Sequence, residues 1–189
     1  MAGDKTDIAG QYEFRLIEPD NAQALCDYFI RNREFHDPWS PLRPGEFFTV
    51  RFLRDLLRAS IPLRHSVREF RFGAFSGSDG KRIVGALNLS AIERSMFQNG
   101  RLGYSVDHEW AGRGLMTDMI RRVQQFAFDG LQLHRLEANV IPHNIPSNRV
   151  LLRCGFRLVG MSPHMIKIAD RWQDHNMYAQ TAEQYFTRP

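Results

Sequence analysis

Cysteine is almost missing from this sequence: Cys26 and Cys154 are the only two among 189 residues, far apart and outside any C-x-x-C spacing. A disulfide-stapled scaffold and a paired-thiol redox or zinc motif are thereby set aside, and two buried thiols in a reducing compartment are expected. Lysine is scarce too, Lys5, Lys81 and Lys167 being three of 25 basic residues. Arginine, which makes up the rest, favours phosphates and carboxylates through its bidentate fork, although a genome-wide codon preference accounts for the bias equally well. No apolar run approaches the roughly 20 residues that span a bilayer. The polar residues 1–10 hold no signal-peptide core, so a cytoplasmic protein with no membrane contact is expected. Those ten residues read as a disordered tail and 11–189 as one domain. The seven histidines are scattered, and His134, His143 and His164 lack ligand spacing, so no metal site is expected. Repeats and low-complexity stretches are absent.

What is present is ordinary globular material, 43% hydrophobic and 24% charged, enough to bury a core. The net charge of +4 suits an anionic cofactor or an RNA-associated partner without choosing between them; DNA is not expected. Residues 12–17 alternate as a half-buried strand does. Pro19-Asp20 opens a helix with Ala24, Leu25, Tyr28 and Phe29 on one face. Residues 36–41 form a proline-punctuated loop. A second helix covers 46–59, with Phe48, Phe52, Leu53, Leu56 and Leu57 as its apolar side. Strands follow over 68–75, 82–90 and 101–106, then a glycine-bearing loop over 107–114. Met116, Met119, Ile120, Val123 and Ala127 mark an amphipathic helix over 115–128. A strand over 134–140, a short helix over 147–154 capped by Gly155, and strands over 156–168 and 172–181 complete the chain. The expected class is α+β, a largely antiparallel sheet covered by helices.

The segment Glu109-Trp110-Ala111-Gly112-Arg113-Gly114-Leu115-Met116 lies between a strand and a helix. A helix N-terminus carries unpaired N–H groups and partial positive charge, an anion site. Two glycines one residue apart let backbone approach a phosphate with no Cβ in the way; a plain tight turn is the other reading. No GK[ST] follows, which excludes a P-loop. The missing third glycine and missing downstream acid argue against a dinucleotide fold.

Here the chain resembles the GCN5-related N-acetyltransferases (GNAT), whose pyrophosphate loop reads Q/R-x-x-G-x-G/A. The first position falls on Glu109, a departure that leaves the backbone donors intact. Asn144-Ile145-Pro146-Ser147 followed by a helix and Gly155-Phe156 is similar to the RimJ/RimL branch, which acetylates N-termini of ribosomal proteins. Asp37-Pro38-Trp39, Leu102-Gly103-Tyr104-Ser105 and Asp170-Arg171-Trp172-Gln173-Asp174-His175 extend the resemblance over roughly residues 12–181.

The resemblance implies a mixed sheet of about seven strands in α/β/α layers, with a splayed strand pair that holds acetyl-coenzyme A. It implies backbone contacts from Ser105, Val106 and Asp107 to the pantetheine arm, and donors at Ala111, Gly112, Arg113, Gly114, Leu115 and Met116 for the pyrophosphate. Arg113 would reach a phosphate or lie solvated. Ser147 would protonate the departing thiolate or cap its helix, Ser being a preferred cap, and Asn144 would bond the cofactor or form an Asx turn. Glu93 is the candidate base, or a solvated glutamate; Glu137, Asp107 and His108 stand behind it. Trp39, Asn88, Tyr104 and Met165 would line the acceptor groove, or pack in the core. The carboxylate that some relatives place after the Gly-Phe strand falls on Ile166, which takes no proton. Neither cysteine fits a nucleophile, so the amine would attack the thioester directly.

The missing carboxylate bears on the acceptor. An α-amine with a pKa of about 7.7–8.0 costs roughly 1–1.4 kcal/mol to free at neutral pH, a lysine at about 10.4 roughly 4.6 kcal/mol. A protein N-terminus is therefore favoured over lysine. A small-amine acetyltransferase (polyamine, amino sugar or antibiotic) and a non-catalytic acyl-CoA-binding module are the alternatives. Ribosome association through the arginines is compatible with the first reading, and the resemblance makes a homodimer plausible.

Overall fold

The computed structural model of the protein describes residues 10–77 and 79–187; the tail expected over residues 1–10 lies, but for Gly10, outside them. Seven strands form one sheet: β1 (Glu13–Leu16), β2 (Phe70–Ser76), β3 (Arg82–Glu93), β4 (Asn99–Val106), β5 (Arg135–Val140), β6 (Arg157–Ile168) and β7 (Arg171–Thr181). The spatial order is β1-β2-β3-β4-β5-β7-β6. Every pairing is antiparallel except β4 with β5. That parallel step needs a crossover, supplied by α4 (Leu115–Gln125).

Apolar residues alternate along the strands and therefore face two cores. On one face Val84, Leu87, Leu89, Leu102, Leu136 and Ala138 pack with Leu115, Met119, Ile120 and Val123 of α4 and Leu151 of α5 (Ile145–Arg153). On the other, Phe75 and Ile83 pack with Leu25 and Tyr28 of α1 (Ala22–Arg31) and with Leu53 and Leu57 of α3 (Val50–His65). Gly85 brings α4 close: a Cβ there would stand 2.7 Å from the Met119 sulfur.

Several boundaries differ from the sequence reading. The helix expected over 46–59 is a 3-10 turn, Gly45–Phe48, followed by α3, because the Thr49 hydroxyl caps α3 by accepting from the Phe52 amide. The loop expected at 36–41 is entered through a helical turn, α2 (Arg33–His36), and contains a 3-10 turn, Asp37–Trp39, which Pro38 favours with its fixed φ. Helix α4 ends in a π turn, Phe126–Gly130, with Phe126 against Phe70 and Phe72. The short α6 (Ala182–Phe186) closes the described chain. No helix among the described residues is long and apolar enough to cross a membrane.

Candidate active site

The opening between β4 and β5 is created by where their pairing stops. Residues 99–102 pair with 135–138, from Asn99 with Arg135 to Leu102 with Ala138. Past that point β4 continues on β3 alone, and β5 continues on β7 alone. The Asp107 amide donates to the Val84 carbonyl at 2.9 Å, which sets the alternation of the antiparallel ladder. Val106 and Tyr104 therefore direct their main-chain groups away from β3, into the opening, while those of Ser105 are engaged with Ala86. Of the three residues expected to offer backbone to a pantetheine arm, Val106 turns its N–H toward the opening, Ser105 is engaged with Ala86, and the Asp107 amide is engaged with Val84; Tyr104 has the same orientation as Val106.

Side chains follow the same alternation. Tyr104 lies on the α4–α5 face, and its hydroxyl is 2.8 Å from the Ser147 hydroxyl, a bond that reaches from β4 to the start of α5. Burial raises the Tyr104 phenol well above its ordinary pKa, so it stays protonated and can act as a donor. Ser147 is not the cap of α5. Asn144 is, its side-chain oxygen accepting from the Ser147 amide at 3.2 Å. The helix starts two residues earlier than expected, at Ile145, and the Ser147 hydroxyl is left to its contact with Tyr104.

Asn88 stands on the opposite face beside Gly103, where a Cβ would meet nothing within 4 Å. Asn88 and Tyr104 thus cannot line one wall together. Trp39 lies against His143, ring centroids 5.4 Å apart, and the Ala169 amide of the β6–β7 turn donates to Ser40 at 3.3 Å. Those contacts bring the Asp37–Trp39 turn, the approach to α5 and the last hairpin together. Met165 is half-buried in that hairpin, within the irregular stretch between Ser162 and Ile166. Glu93 does not join the site: it pairs with Asn99 at the far end of β4, about 17 Å from Tyr104 at ~3.3 Å per residue. The strand runs to Glu93 through a bulge rather than ending at Ser90, which carries the carboxylate away.

The mouth of α4 has the geometry of an anion cradle. Gly112 and Gly114 adopt φ of 76° and 91°, a left-handed region closed to most side chains. A Cβ at either would meet nothing within 4 Å, so both flank open space. Gly114 is the N-cap and offers no side chain, leaving the first-turn amides of Leu115 and Met116 without a capping partner from it. The Ala111 amide, by contrast, already donates to His108 at 3.4 Å. Arg113 lies 6.0 Å from the Trp110 ring centroid, close to the cradle. Glu109 is neutralised by an ion pair with Arg82, so its charge does not oppose an incoming anion.

Sequence reasoning missed the residues that hold this site in place, because they sit on the first helices, where no motif marks them. Fully buried Asp107 receives Arg31 Nε at 2.9 Å and Nη2 at 2.6 Å, Asn32 Nδ2 at 3.3 Å and the Glu109 amide at 3.0 Å. Burial alone would raise its pKa; the Arg31, Glu109 and Asn32 bonds outweigh it and hold the carboxyl below its ordinary value. Asn32 Oδ1 accepts from the His108 amide at 2.8 Å. Tyr28 and Ser105 hydroxyls are 2.8 Å apart, and His36 Nε2 is 2.8 Å from the Val106 carbonyl oxygen. Asn148 was missed as well. Its amide donates to the carbonyls of Ile141, Pro142 and Asn144, and its oxygen accepts from Asn176 and Tyr178, tying the approach to α5 onto β7. Both cysteines are buried free thiols, and no group of three or more potential metal ligands occurs among the described residues.

A sheet parted beside a glycine-edged helix mouth, with two hydroxyls bonded across the gap, defines a group-transfer enzyme that holds an extended, phosphate-bearing donor. Comparison with known proteins fixes the class. Residues 12–157 match the acetyltransferase (GNAT) domain family, and the chain belongs to it. It is 32% identical over 167 residues to the [ribosomal protein uS5]-alanine N-acetyltransferase of Escherichia coli, covering 88% of this chain and 86% of that one. The ribosomal-protein-S5-alanine acetyltransferase of Vibrio fischeri superposes with a TM-score of 0.88 at 31% identity, over 95% of this chain and 96% of that one. Mycobacterium smegmatis RimJ, in complex with CoA-disulfide, does so with a TM-score of 0.84 at 26% identity, over 90% and 82%. The chain is therefore an N-acetyltransferase with the GNAT fold.

Proposed function

We propose that this enzyme acetylates the α-amine of a protein N-terminus, the reaction named for its uS5-alanine relative, with acetyl-coenzyme A as the donor. The observation that carries the reading is the Tyr104–Ser147 hydroxyl pair across the β4–β5 opening, in a chain whose GNAT loop supplies a Cβ-free phosphate cradle. The amides of Leu115 and Met116 would hold the pyrophosphate, with Gly112 and Gly114 giving it room and Arg113 at hand. Tyr104 would align the pantetheine arm through its main-chain groups, the Val106 carbonyl being taken by His36. The bound group supplies an acetyl thioester that an amine attacks.

The chain's own groups then have three tasks. The opening orients the reacting pair, which supplies much of the acceleration. The Val106 N–H, turned into the opening, would stabilise the negative charge that develops on the acyl oxygen. The Ser147 hydroxyl, polarised by Tyr104, delivers a proton to the departing sulfur. The charges on the sheet favour a peptide over a polyamine. Glu137 and Glu69 are each paired with an arginine, Arg135 at 2.7 Å and Arg71 at 2.6 Å, which offsets the negative charge a polyamine would seek.

The deciding experiment incubates the protein with acetyl-coenzyme A and peptides beginning with Ala, Ser or Met, alongside spermidine. Thiol release is followed and the product mapped by mass spectrometry. Acetylation at the peptide α-amine supports the proposal, and turnover of spermidine alone overturns it. Acetyl-coenzyme A binding with no turnover of any amine leaves a binding module. Ribosome association and a homodimer belong to the same reading; co-sedimentation at low and high salt and analytical ultracentrifugation check them.

A further inference from the structure

One face of the sheet is left open at its centre. The Ser105 hydroxyl meets that of Tyr28 on α1 at 2.8 Å, so Ser105 looks toward the first helices. Alternation puts Gly103 and Arg101 on that same face, with Leu102 and Tyr104 on the other. Both Gly103 and Arg101 are exposed, although β4 is the fourth of seven strands. Helices α1 and α3 pack on Ile17, Phe75, Ile83 and Ala86, short of this strip. Past the opening the same face is closed. His36 Nε2 of α2 reaches the Val106 carbonyl at 2.8 Å, and the Ala169 amide donates to Ser40 at 3.3 Å, which draws the last hairpin against the Asp37–Trp39 turn. An acceptor chain whose first amine enters the opening has an unobstructed way out along β4, over Gly103 toward Arg101.

The strip offers a peptide two kinds of contact. Asn88 stands opposite Gly103, where a Cβ would meet nothing within 4 Å, so main chain can lie close against the sheet there. The Asn88 carboxamide has no hydrogen-bond partner among the described residues. It carries both donors and an acceptor, the complement of a peptide unit. Charge supplies the second contact. Arg71 is paired with Glu69 and Arg135 with Glu137. Arg101 lies opposite Ser90 on one side and Glu137 on the other, and its side chain has neither ion pair nor hydrogen bond among the described residues. Three arginines thus face two glutamates, and the positive charge in excess is at Arg101.

We infer that this strip seats the acceptor polypeptide and that Arg101 selects an acidic side chain about three residues behind the acetylated amine; the inference rests on the reaction proposed above. Tyr104, at the opening, and Arg101 are three residues apart on β4, a span of about 10 Å, and an extended acceptor covers it in the same number of residues. Asn88 holds the acceptor's main chain over Gly103 whatever its sequence. The Arg101 fork takes a carboxylate and repels a cation at the same place. Arg101 touches no reacting atom, so its effect falls on which acceptor binds.

The test uses the full chain, acetyl-coenzyme A and alanine-initiated peptides carrying one Glu or one Lys at each of positions 2 to 6. Glu at position 4 is expected to lower the peptide KM about fivefold against Lys there, and high salt to erase the difference. Arg101→Glu reverses the preference and Arg101→Gln removes it, while KM for acetyl-coenzyme A stays within twofold. Asn88→Ala raises KM for both kinds of peptide alike. The inference is overturned if Glu and Lys peptides differ less than twofold at every position, or if the preference survives Arg101→Glu. If spermidine is acetylated and no peptide is, the proposed reaction fails instead, and the amide resonances of Gly103 and Arg101 in the wild type read this face without turnover. Movement with the position-4 Glu peptide and not with its Lys counterpart keeps the inference; an equal response to both overturns it.

Discussion

Replacing Asp107 by Asn should uncouple the first helices from the cofactor strand. The carboxylate is fully buried and takes two bonds from Arg31, whose side chain is 27% exposed. The amide keeps the shape and can still accept from the Glu109 amide, but it leaves the guanidinium without a counter-charge. Breaking one side of a buried ion pair costs about 3–5 kcal/mol. Arg31 retains its 2.9 Å bond to the Ile83 carbonyl, so the lower figure, about 3 kcal/mol, is expected. For a chain of this length that lowers Tm by about 6–12 °C. The sign of the pH dependence follows from the lowered carboxyl pKa. The contribution is fully present above the unfolded value of about 3.9 and is lost as pH falls through the folded value. Urea melts of both proteins at pH 7 and pH 3 measure this. A loss below about 1 kcal/mol at pH 7, or a difference that does not narrow at pH 3, would refute the argument.

Three further outcomes are expected. Gly114→Ala meets no protein atom, so its stability cost is the left-handed strain alone, about 1–2 kcal/mol. Its coenzyme A affinity by calorimetry should fall at least tenfold, because the new Cβ points into the cradle. Ser147→Ala and Tyr104→Phe each remove the same hydroxyl bond; each should lower kcat about 10- to 100-fold, and the double variant little further, since neighbours sharing one interaction are not additive. Asn148→Ala deletes five hydrogen bonds around a side chain that is 8% exposed. It should cost about 3 kcal/mol or more in thermal melts, and kcat should fall with it as Ser147 loses its placement.

Much of the fold was legible because periodicity is local. The alternation over 12–17 and the helical spacing of Met116, Met119, Ile120 and Val123 each report which side faces the core, and β1 and α4 formed there. The cradle was legible for a similar reason: positive φ at Gly112 and Gly114 is a demand only glycine meets cheaply, so it leaves a mark in the sequence. Capping was harder. Asn144 and Ser147 are both good cap residues, and only the helix start at Ile145 assigns the task to Asn144. Glu93 was misplaced because a bulge lengthens β3, and a bulge has no strong signature.

The amino-acid order by itself determined the family, the layered α+β class and the glycine turn at the mouth of α4, because each rests on contacts between near neighbours in the chain. Only the tertiary structure decided which strand atoms face the opening, that Tyr104 reaches Ser147, and that Tyr28, Arg31, Asn32 and His36 clasp residues 105–108. Those contacts join positions some 40 to 80 residues apart, between |i−j| of 43 for Tyr104 with Ser147 and 77 for Tyr28 with Ser105. Their geometry depends on strand register and helix docking, which no local pattern encodes.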